Sequence, residues 1–248
     1  MAFGISTSPS ASSSERRRAR AALAVLLVAV CLAPAAGRAQ TGTVRGVLRL
    51  EERDGTERGD RRSAVVYLEP RSPVVPAADT PALRSGVVAM RGREFIPHVI
   101  VVRAGGSVAF PNQDPFSHNV FSSVEQREFD LGLYRRGVSR SARFERPGVH
   151  PIYCNIHSKM VSFVVAIPGP WYAYPDADGR FVLRGVPPGS YRLHAWHERG
   201  SAETVRELVV RGDELQEVEV TIDARAYVPG THLNKFGQPY AVIRGDRY

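Results

Sequence analysis

Short apolar and β-branched runs, separated by turn residues, recur along most of the chain. Residues 43–50, 206–210 and 215–222 alternate apolar and polar positions, as half-buried strands do. The 22 glycines and 18 prolines supply frequent turns, and no long helical period appears after residue 40. This pattern predicts an all-β protein. Further strands are predicted at 64–68, 99–102, 107–110, 118–121, 139–144, 149–154 and 161–167.

The first 39 residues differ from the rest of the chain. A cluster of arginines at 16–20 precedes an apolar, alanine-rich run at 21–36 that ends in small residues. This order predicts a secretory signal peptide over residues 1–39, cleaved after Ala39 or alternatively after Ala36. An uncleaved N-terminal anchor is the other interpretation. A cleaved leader places the protein in the periplasm or outside the cell.

The chain carries a formal net charge of +8 over 248 residues. The leader supplies about half of that charge, and the other basic residues are scattered and nearly all arginine. No basic stripe with interleaved aromatic residues is visible, so we expect no nucleic-acid partner. We also expect no stable membrane insertion once the leader is removed.

Candidate chemistry is concentrated in the segment GVHPIYCNIHSKM, residues 148–160. Cys154, His157 and Met160 follow each other at every third position, so a tight turn of about three residues would superimpose their side chains. A thiolate, imidazole nitrogens and a weak thioether suit a copper ion in a trigonal site. Such a site needs a second histidine, for which His118 is the best candidate. Cys154 is also the only cysteine after the leader, and its alternative role is that of a small buried residue.

Four sequence features recur together between residues 87 and 170. They are F-x-P at 95–97, G-x-x-V-x-F at 105–110, Asn112 ahead of the pair His118-Asn119, and P-G-x-x-x-x-Y-C-x-x-H-x-x-M at 147–160. In combination they resemble the cupredoxins, particularly plastocyanin, pseudoazurin and amicyanin. The resemblance covers about a third of the chain.

The resemblance implies a Greek-key β-sandwich that holds one type 1 copper, cycling between Cu(I) and Cu(II). It assigns His118, Cys154 and His157 to the equatorial plane and Met160 to the axial position. Asn119 matches the asparagine that braces the ligand loop in this family. Outer-sphere electron transfer with redox partner proteins is the implied function, and His157 is the implied electron port.

The flanking segments resemble another family. The stretch DADGRFVLRGVPPGSYRL, residues 176–193, looks like the signature of the carboxypeptidase regulatory-like, or transthyretin-like, β-sandwich. The opening strands of that family match 44–50 and 65–68, on the far side of the cupredoxin block. We therefore expect a discontinuous second sandwich made of 43–70 and 174–224, with the cupredoxin block 87–170 inserted in it and a tail at 226–248. Chains that combine these parts resemble bacterial proteins labelled methylamine utilisation proteins.

Catalysis is not expected from this pattern. A multicopper oxidase needs repeated His-x-His pairs and a dinuclear copper site needs a second cysteine, and the mature sequence shows neither. Cys154 and His157 could serve as nucleophile and base, but Met160 would then have no role. Two other functions stay open, namely copper trafficking without redox cycling and an interaction module of the cell envelope.

Overall fold

The computed structural model describes residue 1 and residues 41–53, 60–73, 83–122 and 129–240. Regular structure in these residues is β-strand, apart from one 3-10 turn at Arg61–Ser63. The fold is all-β, as predicted from the alternating pattern. The predicted signal peptide lies outside the described residues except for Met1. Within the described part, the chain forms no helix with the length and apolar character needed to cross a membrane.

The strands of the described residues are numbered in chain order. They are β1 (Gly42–Glu51), β2 (Val65–Pro70), β3 (Ser85–Val87), β4 (Ala89–Arg91), β5 (Glu94–Ile96), β6 (Val99–Arg103), β7 (Gly106–Pro111), β8 (His118–Ser122), β9 (Phe129–Tyr134), β10 (Ser139–Phe144), β11 (Gly148–Tyr153), β12 (Val161–Ile167), β13 (Tyr172–Ala173), β14 (Arg180–Val186), β15 (Gly189–Trp196), β16 (Thr204–Val210) and β17 (Leu215–Asp223).

Two sheets from the two ends of the described chain form the first sandwich. One sheet has the order β14-β1-β17, and the other has the order β13-β2-β15-β16. The alternation in β1 turns Val44, Leu48 and Leu50 inward, where all three are buried. They pack in one core with residues of the facing sheet such as Leu68 and Leu193. β2 pairs with β13 and β15.

The second sandwich is formed by the strands between them in sequence. A three-stranded sheet has the order β10-β7-β3, and a five-stranded sheet has the order β6-β12-β11-β8-β9. Their shared core contains Phe110 of β7, Ile152 of β11 and Val164 of β12. Cys154 and Met160 belong to the same buried cluster. The candidate metal ligands therefore lie at the edge of a well-packed core.

Two strands are buried on both faces, because the sandwiches pack against each other. In β2, Val66 and Leu68 face the first core, whereas Tyr67 faces a third cluster. In β12, Val164 faces the second core, whereas Val165 joins that third cluster. Burial on both faces explains why these two strands are nearly continuous apolar runs, without alternation.

Most predicted strands begin and end within two residues of the observed ones. Several observed strands were not predicted, and one stretch with the composition of a linker belongs to the core. β9 was not predicted; at Gly132, which adopts a φ of 70°, its alternation changes phase, so that Leu133 is exposed and Tyr134 is buried. The Pro-rich composition of residues 168–176 predicts a linker. Instead Trp171 is buried in the first core, where its indole Nε1 donates to the carbonyl of Gly185 at 3.0 Å.

Candidate metal centre

Three donor side chains meet at one end of the second sandwich. His118 is the first residue of β8, Cys154 directly follows β11, and His157 lies in the loop between β11 and β12. Cys154 Sγ is 3.7 Å from Nδ1 of His118 and 3.8 Å from Nδ1 of His157. The donor atoms of all three lie within 4.8 Å of one another. Residues far apart in sequence thus form one group that could hold a metal ion.

The spacing of these atoms fits direct ligation. A metal–sulfur bond of about 2.3 Å and a metal–nitrogen bond of about 2.0 Å, at an angle of about 120°, separate the two donors by about 3.7 Å. Both sulfur–nitrogen distances agree with that value. One thiolate with two imidazoles is the equatorial donor set of a trigonal copper site.

The ligand loop closes as an extension of the β11–β12 hairpin. The pairing of Tyr153 with Val161 continues as a hydrogen bond from the Cys154 N–H to the Met160 carbonyl, at 3.3 Å. A single i to i+3 bond, from Met160 N–H to the His157 carbonyl at 3.0 Å, forms a tight turn. The hairpin places Cys154 opposite Met160. The tight three-residue turn expected from the spacing is therefore present only between His157 and Met160. Met160 is 1% exposed and packs in the same core as Cys154.

The environment of Cys154 favours the thiolate. Burial raises the pKa of the Cys154 thiol, but the hydrogen bonds it receives outweigh this effect and lower the pKa below its usual value. These bonds come from the His118 side chain and from the backbone N–H groups of Asn119, Ile156 and His157. A buried sulfur surrounded by donors is prepared to bind a cation.

Asp114 orients His118, and it was not singled out from the sequence. Its Oδ2 is 2.8 Å from Nε2 of His118, and the carboxylate also accepts from the backbone N–H groups of Gly92 and Arg93, at 2.6 and 2.9 Å. Burial raises the pKa of Asp114, but these donors lower it overall. An ionised Asp114 requires that His118 Nε2 carries the proton. Nδ1 of His118 faces the Cys154 sulfur, to which it donates when no metal is bound; once it loses that proton, it can bind a metal itself.

The segment that carries Asp114 is braced by Asn112. Its Oδ1 accepts from the Asp114 N–H at 2.9 Å, and its Nδ2 donates to the carbonyls of Phe116 and Tyr134, at 2.8 and 3.0 Å. The spacing of four residues between Asp114 and His118 was the available sequence signal. This spacing alone does not indicate a contact, because Asp114 reaches His118 only through the turn that Asn112 braces.

Asn119 contacts the centre in a different way from the one implied by the resemblance. Its side-chain Nδ2 donates to Oδ1 of Asp130 on β9, at 2.6 Å, whereas its backbone N–H is the group that bonds the Cys154 sulfur. The side chain therefore ties β8 to β9. The contact with the ligand comes from the main chain.

The centre is closest to solvent at His157, which is partly exposed. Phe116 and Ile156 beside it are 36% and 45% exposed. The Phe116 ring centroid is 5.7 Å from that of His157, and 5.2 Å from that of the fully buried His118. An apolar surface thus surrounds the most accessible candidate ligand.

The remaining described histidines of the two sandwiches take part in other contacts. His98 pairs with Glu198 at 3.0 Å, and His150 is buried with Nε2 3.1 Å from the Arg146 carbonyl. His194 lies between Glu69 and Glu203, whereas His197 Nε2 is 3.2 Å from the carbonyl of Asp60. In the described part of the chain, His118, Cys154 and His157 are the only group found with metal-binding spacing.

Comparisons with known proteins give matches among solved structures alone. No protein-family model matches the chain, and no curated protein matches it. A purple cupredoxin from Nitrosopumilus maritimus is 22% identical, over 33% of this chain and 98% of its own, with a TM-score of 0.30. Amicyanin from Paracoccus versutus is 22% identical, over 40% of this chain and 97% of its own, with a TM-score of 0.32.

A copper-containing nitrite reductase from Thermus scotoductus is 24% identical, over 38% of this chain and 25% of its own, with a TM-score of 0.32. This match corrects our sequence-based prediction that the chain is not an enzyme, since cupredoxins and an enzyme are both among the similar structures. All three TM-scores are below 0.5. The donor geometry at Cys154, rather than these likenesses, therefore supports a metal centre.

Proposed function

We propose that the protein binds one copper ion through His118, Cys154 and His157, with Met160 as a weak fourth ligand, and that it transfers single electrons between redox partner proteins. The convergence of two Nδ1 atoms on the Cys154 sulfur, at 3.7 and 3.8 Å, carries this proposal. When bound, copper supplies a one-electron couple between Cu(I) and Cu(II).

The protein's contribution is a fixed donor arrangement. His118 and Cys154 are fully buried and Met160 nearly so, so packing restricts their movement. The carboxylate of Asp114 fixes the tautomer of His118, and backbone N–H groups hold the Cys154 sulfur. Donors held in this way rearrange little when the charge at the centre changes, which favours rapid electron transfer.

The exposed surface around His157 is the proposed port for electrons. Phe116 and Ile156 form an apolar rim that allows close approach of a partner. Redox encounters are typically small and short-lived, with less than about 1,200 Å² buried. A partly exposed ligand within a small apolar surface suits such an encounter.

Export and a discontinuous domain are further parts of this proposal. The arginine-rich, apolar leader supports export. Pairing of Tyr172 with Tyr67 supports the discontinuous domain, because it brings the two ends of the inserted block together. The transthyretin-like assignment of that domain and a place in methylamine utilisation rest on sequence resemblance.

Repeated redox cycling tests the function. The copper-loaded protein is reduced and reoxidised by small redox reagents in a stopped-flow instrument, and copper retention is measured after each cycle. We expect one electron per copper, rapid exchange and no metal loss. Tight Cu(I) binding with slow or absent reoxidation would instead support copper trafficking and contradict electron transfer.

A further inference from the structure

The C-terminal segment crosses the metal-site end of the second sandwich. His232 stacks on Tyr153, the neighbour of Cys154, with ring centroids 4.5 Å apart and an interplanar angle of 30°. The ring of Tyr240 meets His232 edge-on at 5.3 Å. His232 also contacts the edge of Phe121 on β8, at 6.3 Å. The tail thus covers both strands that lead to candidate ligands.

Hydrogen bonds join this tail directly to the ligand loop. The hydroxyl of Tyr240 donates to the carbonyl of Cys154 at 2.6 Å. The backbone N–H of Lys235 donates to Oδ1 of Asn155 at 2.9 Å. Two consecutive residues of the loop are therefore held by residues some 80 positions later in the chain.

A charged contact extends the connection to the strand that carries His118. Lys235 Nζ lies 2.6 Å from Oδ2 of Asp130 on β9. The other oxygen of Asp130 accepts from Nδ2 of Asn119, at 2.6 Å. The Asp130 carboxylate therefore links Lys235 to Asn119, and the backbone N–H of Asn119 bonds the Cys154 sulfur.

A compact turn fixes the position of Lys235. Oδ1 of Asn234 accepts from the N–H groups of Phe236 and Gln238, at 2.9 and 3.0 Å, and the Asn234 N–H donates to the Gln238 carbonyl at 2.8 Å. Gly237 adopts a φ of 72°, which other residues rarely accept. The hydrogen bonds within the turn NKFGQ therefore hold the backbone of Lys235 in one orientation.

We propose that residues 232–240 form a tail strap that positions the metal-ligand loop, with Tyr240 and Lys235 as its positioning residues. The strap holds the backbone of Cys154 and Asn155 and links it to β8 and β9. It keeps the loop in its ligand-binding conformation before a metal is bound. Its effect on a bound metal rests on the proposed function, whereas its effect on the metal-free loop does not.

Tyr240→Phe tests the strap by removing one hydroxyl. Tyr227→Phe is the matched control, because Tyr227 lies on the same tail but packs under Arg199 of the first sandwich. Hydrogen exchange of the amides at 155–160 is measured in the metal-free full chain. Loss of one hydrogen bond corresponds to about three- to tenfold faster exchange in Tyr240→Phe, with no change in Tyr227→Phe.

Copper provides the second readout. In the copper-loaded chain, Tyr240→Phe and Lys235→Met should each shift the visible absorption maximum and speed metal loss to a chelator by about three- to tenfold. The thermal midpoint of the metal-free chain should stay unchanged in both variants. Unaltered loop exchange in both variants would overturn the strap, as would a lowered thermal midpoint without any change at the loop. A wild-type chain that takes up no copper would overturn the proposed function alone, since the exchange measurement needs no metal.

Discussion

The orientation of His118 depends on one carboxylate. Asp114 is 4% exposed and accepts hydrogen bonds from His118 Nε2 and from two backbone N–H groups of the β4–β5 turn. A histidine whose outer nitrogen is held in this way presents its other nitrogen to a metal in one fixed direction. Asp114 therefore matters for metal binding although it is not itself among the candidate ligands.

Asp114→Asn tests this role. An asparagine keeps one side-chain oxygen for the backbone N–H groups, but it lacks the charge that fixes the His118 tautomer. We expect copper affinity to fall by about 10- to 100-fold, measured by competition with a chelator. Asp178→Asn, at an exposed acid of the first sandwich, should leave the affinity unchanged. Equal affinity in Asp114→Asn and wild type would refute the role of Asp114.

The sequence predicted the candidate metal ligands better than the residues that position them. Cys154, His157 and Met160 lie on one short loop, so their spacing alone indicated a common site. Asp114 and the strap residue Tyr240 act through contacts that form only in the folded protein. The pattern of apolar and polar positions along the chain does not predict such contacts. The Asn119 side chain was expected at the ligand loop, but it bonds Asp130, a residue of the unpredicted strand β9.

At the scale of elements, strands with a regular pattern were predictable and short edge strands were not. β10 and β12 begin and end at the predicted residues. β3, β4 and β5 contain three residues each, too few for a period to emerge. Their places are set by pairing with neighbours, such as β3 along β7.

The glycine at the centre of β1 allows neighbouring strands to pack closely. A Cβ at Gly46 would lie 2.4 Å from Cζ of Phe181 and 2.6 Å from the carbonyl oxygen of Val218. The carbonyl belongs to the paired strand β17 and cannot move away without breaking the sheet.

Gly46→Ala should therefore destabilise the first sandwich through overpacking. We expect a loss of about 1–3 kcal/mol in the free energy of unfolding, measured by denaturant titration. Gly230→Ala is the control, since the nearest atom to its added Cβ is 4.0 Å away. A Gly46→Ala protein as stable as wild type would show that β1 has room for a methyl group.

At the scale of the molecule, an ion pair joins the two sandwiches. His98, just before β6, lies 3.0 Å from Glu198, just after β15. The hydrogen bond that His98 donates to Glu198 raises the pKa of His98 above its usual 6.5, although burial opposes the rise, and Glu94 adds a smaller attraction. Hydrogen bonding to His98 likewise lowers the pKa of Glu198 below 4.5.

This pair gives the stability a defined pH dependence. Because the pKa of His98 is raised in the folded state, the ion pair stabilises the fold fully below pH 6.5. This stabilisation is lost as the pH rises through the folded-state pKa of His98. The lowered pKa of Glu198 contributes above pH 4.5. Because the pair is partly exposed, His98→Gln should cost only about 0.2–1 kcal/mol between these limits, and nothing near pH 9. A cost that grows above pH 7 would contradict this assignment.

The third cluster contains residues of both sandwiches, so we expect the two sandwiches to unfold together. Val65 of β2, Val101 of β6, Val165 of β12 and Trp196 of β15 all belong to it. Metal bound to the second sandwich should then stabilise the first, by about 2.7 kcal/mol at a free copper concentration 100 times Kd. Fluorescence of Trp171 and Trp196 follows this transition, since both lie in strands or loops of the first sandwich. A tryptophan transition unmoved by copper would mean that the sandwiches unfold independently.

The spectrum of the copper-loaded protein tests the metal centre most directly. Cu(II) is added to the protein from Gln40 onward and to its Cys154→Ser variant, and visible absorption and electron paramagnetic resonance are recorded. We expect an intense thiolate-to-copper band with narrow copper hyperfine splitting in the wild type, and the loss of both in the variant. A colourless protein, or ordinary tetragonal Cu(II) signals that survive the substitution, would contradict ligation by Cys154.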